Sequence, residues 1–320
     1  MNRHYLMAVA VAIFLIGCNP SPSERAVEKQ SERISAEEPR ITPDIVYGHK
    51  FGMALTFDLF QPQKQNGAGV IFINSGGWHS PRFLNFYKET AEGLRLTTDQ
   101  ERAQTQPEFQ GRPSIKPLLD KGFAVFVVRH GDCDKFTMSE IVVDLRRVIR
   151  FIRFHAGKYG IDAERLGVWG GSAGGHLALL LATTPEIGSK AIIDEFEKET
   201  GRVAAVVAYF PVTVMPKLSD LPEPIRKEAP VLDLNEEQRR DFSPINFVSS
   251  DDPPTLLVHG DRDNAVPISM SKSMHQALLK AEVKSKFVTI PEAGHGFFGK
   301  ADDQAMQETV SWFEEHLKTK

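Results

Sequence analysis

Six short runs rich in Val, Ile, Leu and Phe constrain this chain more than any other feature. They are Val70–Asn74, Ala124–Arg129, Leu166–Trp169, Val203–Phe210, Thr255–His259 and Lys286–Ile290, bounded by Gly, Pro or Asp. A strand that is apolar at consecutive positions must be buried on both faces, which is the condition of a parallel sheet covered by helices. Helical patterns lie between the runs, the clearest over Ser139 to Lys158. There Thr137 and Glu140 make a capping box, Ile141, Leu145, Val148, Ile149 and Ile152 share one face, and Gly160 is the stop. Alternating strand and helix predicts the α/β class, with right-handed crossovers, an open, mostly parallel twisted sheet and helices on both faces. Segments near Ile45–Tyr47 and Met53–Phe60 alternate more strictly and are expected as antiparallel edge strands. Pro81–Pro117 and Pro211–Asp252 fit neither pattern, and insertions of that length are expected to form a partial cap over the ligand face.

Composition narrows the class further. Over 320 residues, 41% hydrophobic and 25% charged residues suffice for a large core, which excludes a mainly disordered or collagen-like chain. A net charge of -4 argues against a nucleic-acid binder, because the phosphate backbone calls for a dominant basic surface. No repeated block suggests a solenoid or propeller.

The first residues read as an export signal. Leu6 to Gly17 is uncharged and almost wholly apolar after a short basic start, and it falls short of the about twenty residues that span a bilayer. Leu15-Ile16-Gly17-Cys18 resembles the lipobox of bacterial lipoproteins, so residues 1–17 are expected as a signal peptide and Cys18 as the lipidated residue. The same resemblance, with Asn19 after the cysteine, points to the cell envelope and its outer membrane. Residues 18–41 hold little to bury and are expected as a disordered tether, with the folded domain over 42–320. With Cys18 lipidated, Cys133 alone remains, so no internal disulfide can form.

Chemistry enters at Gly170-Gly171-Ser172-Ala173-Gly174. This Gly-x-Ser-x-Gly lies between the run ending at Trp169 and the helical stretch from His176, the context of a nucleophile elbow. The sharp turn forces Ser172 into strained geometry, brings Gly170 and Gly174 too close for side chains, and aims the Ala173 amide at any anion formed on an attacked carbonyl. A serine nucleophile needs a base and an orienting acid. His295, in Ala293-Gly294-His295-Gly296-Phe297, follows the last strand and precedes the last helix, whereas His259 and His176 read as buried packing residues. The turn Gly260-Asp261-Arg262-Asp263 offers two candidate acids, and either gives the chain order Ser, Asp, His. Asn74-Ser75-Gly76-Gly77-Trp78, after its strand, is placed to supply further oxyanion donors, and Trp78 is expected to wall the acyl side of the pocket. In His130-Gly131-Asp132-Cys133-Asp134 the metal-capable residues crowd one segment with no convergent partner elsewhere, so no metal site is expected.

Taken together, Asp144–Arg153, Tyr159-Gly-Ile-Asp162, Gly170-Gly-Ser-Ala-Gly-Gly-His-Leu-Ala, Asn74-Ser-Gly-Gly-Trp, His259-Gly-Asp-Arg-Asp and Gly294-His-Gly-Phe resemble the esterase branch of the α/β-hydrolase superfamily. The likeness is to carboxylesterases and feruloyl or acetyl esterases related to hormone-sensitive lipase, over about residues 44–318. It implies Ser172 as nucleophile, Asp263 as acid, His295 as base, and the amides of Gly76, Gly77 and Ala173 as the oxyanion hole. It also implies hydrolysis of a small carboxylic ester without metal or organic cofactor. The family's His-Gly-Gly-Gly-Trp stands here as Asn74-Ser75-Gly76-Gly77-Trp78, a departure in the first two residues. Alternatives are a serine peptidase of the prolyl oligopeptidase type and a non-catalytic binding lipoprotein on the same fold.

Overall fold

The computed structural model describes residues 38–80, 86–91, 93–98, 100–101, 114–184, 194–220, 223, 226 and 230–319. The expected signal peptide, Cys18 and nearly all of the expected tether lie outside the described residues. Arg40 and Ile41, assigned by sequence to the tether, belong instead to the first strand, where they pair with Gln61 and Phe60. Their strand is extended by backbone pairing with the far end of the next strand, which their own composition does not signal.

Eight strands form one sheet: β1 (Arg40–Lys50), β2 (Met53–Gln61), β3 (Gly69–Ile73), β6 (Ala124–Val128), β7 (Leu166–Gly171), β8 (Ala205–Tyr209), β9 (Thr255–Gly260) and β10 (Ser285–Ile290). The order across the sheet is β1-β2-β6-β3-β7-β8-β9-β10, and a separate hairpin pairs β4 (Tyr87–Thr90) with β5 (Gly93–Leu96). From β6 to β10 neighbours are parallel, and β2 alone runs opposite to the rest, pairing antiparallel with both β1 and β6. The main helices are α1 (Lys116–Asp120), α2 (Met138–Phe154), α3 (Ala173–Thr183), α4 (Ser269–Lys280) and α5 (Lys300–His316).

Each buried strand feeds two cores. On β6, Ala124, Phe126 and Val128 meet Ile141, Leu145 and Val148 of α2, while Val125 and Val127 join the opposite core with Leu118 of α1 and Phe313 of α5. Period-two alternation with apolar residues on both sides explains why these strands are continuous hydrophobic runs. Phe313 is fully buried, and a Cβ at Gly167 would lie 2.5 Å from its Cε1, so the ring packs straight onto β7. Burial of such a ring contributes about 1.5–3 kcal/mol. Helix α2 starts at the capping box expected from sequence: Thr137 accepts from the Glu140 amide, and the Glu140 carboxylate accepts from the Thr137 amide. Arg129, at the end of β6, donates to both carboxylate oxygens of Asp58 on β2 at 2.7 and 2.8 Å and thereby pins the antiparallel edge.

The insertion over 211–252 contains a short helix, Glu236–Asp241, and a turn at Pro244–Phe247. It meets α3 where Thr183 Oγ1 donates to the Pro244 carbonyl at 3.1 Å. Among the described residues, no helix is long and apolar enough to cross a membrane.

Candidate active site

Strand β7 runs into α3 through Ser172, whose φ of 53° and ψ of -119° are foreign to ordinary L-residues. Such strain costs about 1–3 kcal/mol and persists only where the surroundings over-determine it. Here the Ser172 amide donates to Tyr209 O at 2.9 Å, and the Ser172 carbonyl accepts from the His176 amide at 2.9 Å. A Cβ at Gly170 would stand 2.5 Å from the Gly174 carbonyl carbon, and one at Gly174 would stand 2.7 Å from Ile73 O. No side chain fits at either position, so the glycines spaced around the serine permit the elbow. Ala173 opens α3, and its amide has no partner among the described residues.

His295 lies over this turn. Its Nε2 is 2.9 Å from Ser172 Oγ, and its Nδ1 is 2.8 Å from Asp263 Oδ2. A carboxylate opposite Nδ1 places the ring proton there and leaves Nε2 free to accept from the serine. The ring sits against Phe210, with centroids 4.7 Å apart. A Cβ at Gly260 would lie 2.2 Å from Ala293 O, so the end of β9 and the loop bearing His295 touch through backbone.

Asp263 is held from four directions. Oδ1 accepts from the amides of Ala265 and Val266, both at 2.8 Å, while Oδ2 faces His295 and, at 3.3 Å, Nε2 of His259. Its side chain is wholly buried. Burial alone would raise the carboxyl, but the bonds from His259, His295 and Val266 outweigh it and hold the group well below the usual carboxylate range. Asp261 does something else: it is exposed, and its Oδ1 accepts from the Glu292 amide at 2.7 Å. The structure therefore brings Ser172, Asp263 and His295 together and leaves Asp261 as a brace between two turns.

His259 was read from sequence as packing alone. It is fully buried, but its Nε2 also donates to Val266 O at 2.9 Å and its Nδ1 accepts from Ser271 Oγ at 2.8 Å. Its position four residues before Asp263, at a strand end, was the available signal.

The loop after β3 departs from expectation in two ways. Gly76 and His79 exchange both backbone bonds at 3.1 Å, closing a two-residue turn in which Gly77 (φ 59°) and Trp78 (φ 65°) are both left-handed. Turns of this hand require positive φ at both central residues. The Gly76 amide is thus consumed inside the turn, which corrects its placement among the oxyanion donors. The amides of the central pair, Gly77 and Trp78, have no partner among the described residues.

Trp78, expected to wall an acyl pocket, is only 6% exposed. Its indole Nε1 donates to His176 Nδ1 at 3.0 Å, with the rings edge to face. Trp78 is amphipathic, and its N–H finds a buried acceptor instead of facing substrate. His176 is completely buried, and burial pushes its imidazole down to about 4 despite the bond to Phe242 O.

Behind the turn stands a second polar group. His79 Nδ1 is 3.0 Å from Asp132 Oδ1, and Cys133 Sγ is 3.5 Å from the Gly77 carbonyl. Burial, with Asp132 and Asp134 beside it, pushes the Cys133 thiol up to about 12, so it is not a nucleophile at neutral pH.

An eight-stranded sheet with one antiparallel edge, a serine on the turn after a central strand, and a His–Asp pair from the last two strand-end loops define an α/β-hydrolase. Residues 97–278, more than half of the chain, match the BD-FAE family, and the chain belongs to it. A probable carboxylic ester hydrolase of Mycobacterium tuberculosis, LipM, is 26% identical over 198 residues, which are 59% of this chain and 45% of that protein. The chain spans about half the length of the curated relatives it matches. Among solved structures, a truncated carbohydrate esterase from gut microbiota aligns with a TM-score of 0.65 at 24% identity, covering 88% of this chain and 98% of that one. Propionate-bound esterase 2 of Thermogutta terrifontis gives 0.62 at 22% identity, covering 88% and 93%. At these identities the structural likeness is one of fold.

Proposed function

We propose that the protein is a serine hydrolase that cleaves carboxylic esters of short acyl groups through an acyl-enzyme. The observation that carries this is His295 bridging Ser172 Oγ at 2.9 Å and Asp263 Oδ2 at 2.8 Å. His295 Nε2 takes the hydroxyl proton as Oγ attacks the ester carbonyl, and Asp263 stabilises the imidazolium that results. The tetrahedral oxyanion is held by the amides of Ala173 and Gly77. The imidazolium then protonates the leaving alcohol, and water enters by the same proton path to release the acid. Relatives named as ester hydrolases support this reading, and the carbohydrate esterase among the structural neighbours supports an acetyl or feruloyl ester on carbohydrate as substrate.

The test is a panel of nitrophenyl acetate, butyrate and decanoate with a Gly-Pro-anilide beside them. Acetate and butyrate are expected to turn over much faster than decanoate, with a burst of one nitrophenol per chain that Ser172→Ala abolishes. Cleavage of the anilide alone would make the protein a peptidase, and no turnover of any substrate would favour a binding protein.

The cell-envelope location is part of the same proposal. Cys18, following Leu15-Ile16-Gly17, is the residue expected to carry the lipid, and the short polar stretch after it would let the domain stand off the membrane. Cys18→Ser should leave the protein unprocessed or soluble; a processed variant that still fractionates tightly with membranes refutes the anchor.

A further inference from the structure

The sequence argued against a metal in His130–Asp134 because nothing converged on that segment from elsewhere. In the fold His79 does. Lying on the loop after β3, more than fifty residues away in sequence, it brings its imidazole to Asp132, Cys133 and Asp134. One ligating atom from each of the four lies within 4.8 Å of the others. We propose that His79, Asp132, Cys133 and Asp134 bind a single thiophilic divalent cation of the zinc class.

The spacing is close to that of a tetrahedral shell. Around zinc, with bonds of about 2.05 Å to nitrogen, 2.0 Å to oxygen and 2.3 Å to sulfur, N···O edges are about 3.3 Å and N···S edges about 3.6 Å. Here His79 Nδ1 is 3.0 Å from Asp132 Oδ1, 3.4 Å from Cys133 Sγ and 3.9 Å from Asp134 Oδ2. Adjustments of a few tenths of an ångström bring the two edges from His79 Nδ1 to Asp132 and Cys133 to these lengths, and Asp134, with its side chain 66% exposed, has room to turn toward the fourth corner.

Two of the ligands are set in place by their loops. The backbone of His79 is locked by its two hydrogen bonds to Gly76, and Asp132 Oδ2 accepts from the Ser80 amide at 3.0 Å. One nitrogen, one sulfur and two oxygens suit zinc or cobalt, whereas magnesium and calcium take six or more oxygens. The cation would enter from solvent past His79 and Asp134, whose side chains are 33% and 66% exposed. On binding, the Cys133 thiol loses its proton to solvent as the S–metal bond forms. The His79 proton that faces Asp132 moves to Nε2, freeing the Nδ1 lone pair. None of the four ligands is Ser172, Asp263 or His295, although Cys133 Sγ also touches the Gly77 carbonyl at 3.5 Å.

The test is titration of zinc, and separately cobalt, into the full chain in metal-free buffer, with His295→Gln as a control for binding at Ser172 and His295. The expected result is one equivalent of zinc in both proteins, a rise in melting temperature, and a thiolate-to-cobalt charge-transfer band in the near ultraviolet. Cys133→Ser should abolish the band, and His79→Phe should weaken zinc by more than the roughly tenfold to hundredfold that loss of an outer-shell partner costs. Asp134→Asn, at an exposed position, tests the same site without disturbing the core and should also weaken binding. Absence of binding, or binding that survives Cys133→Ser and disappears in His295→Gln, overturns the proposal.

Discussion

Replacing Asp263 by Asn tests the proposed proton path at its most sensitive point. The side-chain oxygen of Asn can still accept from the amides of Ala265 and Val266, as Oδ1 does at 2.8 Å. Its NH₂ then stands where Oδ2 meets His295 Nδ1 and His259 Nε2, at 2.8 and 3.3 Å. Donor would face donor at both contacts. His295 relieves its own by shifting the proton to Nε2, which points it at Ser172 and removes the base. In a serine triad this tautomeric error lowers turnover about ten-thousandfold, or about 5.4 kcal/mol of barrier. The fold should survive, because the turn keeps its two amide bonds. Asp261→Asn provides the contrast: its amide oxygen can still accept from Glu292 N, so turnover should fall little. Both variants are to be assayed for kcat on nitrophenyl acetate with matched circular dichroism. An Asp263→Asn enzyme that keeps a tenth of wild-type kcat, or an Asp261→Asn enzyme that loses more, would refute the assignment.

Three further outcomes follow from the geometry. His259→Phe removes a donor to a buried carboxylate, an interaction worth about 1.5–3 kcal/mol, so kcat should drop roughly tenfold or more with KM little changed; an unchanged kcat would return His259 to a packing role. Gly76→Ala should keep near wild-type turnover because a Cβ there meets nothing within 4 Å, whereas Gly174→Ala, with its Cβ 2.7 Å from Ile73 O, should lose stability and activity together. Burial pushes His130 and His176 down to about 4, and the unfolded chain protonates both below about 6.5, so urea midpoints should fall as pH drops from about 6.5 to 4; a flat profile over that window would contradict their buried neutral state.

Strand positions were legible because burial on both faces leaves an unbroken apolar run, as in β3, β6 and β8, where every residue is buried. The serine was legible for a related reason: its neighbours at Gly170 and Gly174 are excluded from having side chains by backbone contacts, and that exclusion is written in the sequence as spacing. Choosing between Asp261 and Asp263 from the residues alone was harder, since both occupy one turn and only the loop geometry decides which carboxylate reaches His295. Gly76 and Trp78 were misplaced because a two-residue hairpin turn and an extended donor loop share the same Gly-Gly composition. Hydrogen bonding between the flanking Gly76 and His79 has no local sequence mark. His79 escaped notice as a partner of Asp132 for the same reason: convergence between loops after β3 and β6 follows from these strands being neighbours in the sheet.

The two left-handed residues of the turn after β3 raise the question of what holds them there, for Gly77 adopts positive φ freely and Trp78 does not. A bulky residue in that region costs about 1–3 kcal/mol, and side-chain bonding offsets it. The indole N–H donates to His176 Nδ1 at 3.0 Å, which requires the imidazole proton on Nε2, and Nε2 donates in turn to Phe242 O at 2.7 Å. One neutral histidine therefore fastens the turn to the insertion over 211–252 and uses both of its nitrogens in doing so. From the other side, Asp132 accepts from the Ser80 amide, and Ser80 Oγ donates to Asn74 O at 2.8 Å while accepting from the His130 amide at 3.1 Å. Restraint from both flanks is what electrostatic preorganisation needs, since donors fixed before reaction cost nothing to orient during it. A loop that has Asn74 and Ser75 in place of the first His and Gly of the family pattern can thus still hold the Gly77 amide in place, because its conformation is set by Trp78, His176 and Asp132 and not by glycine content.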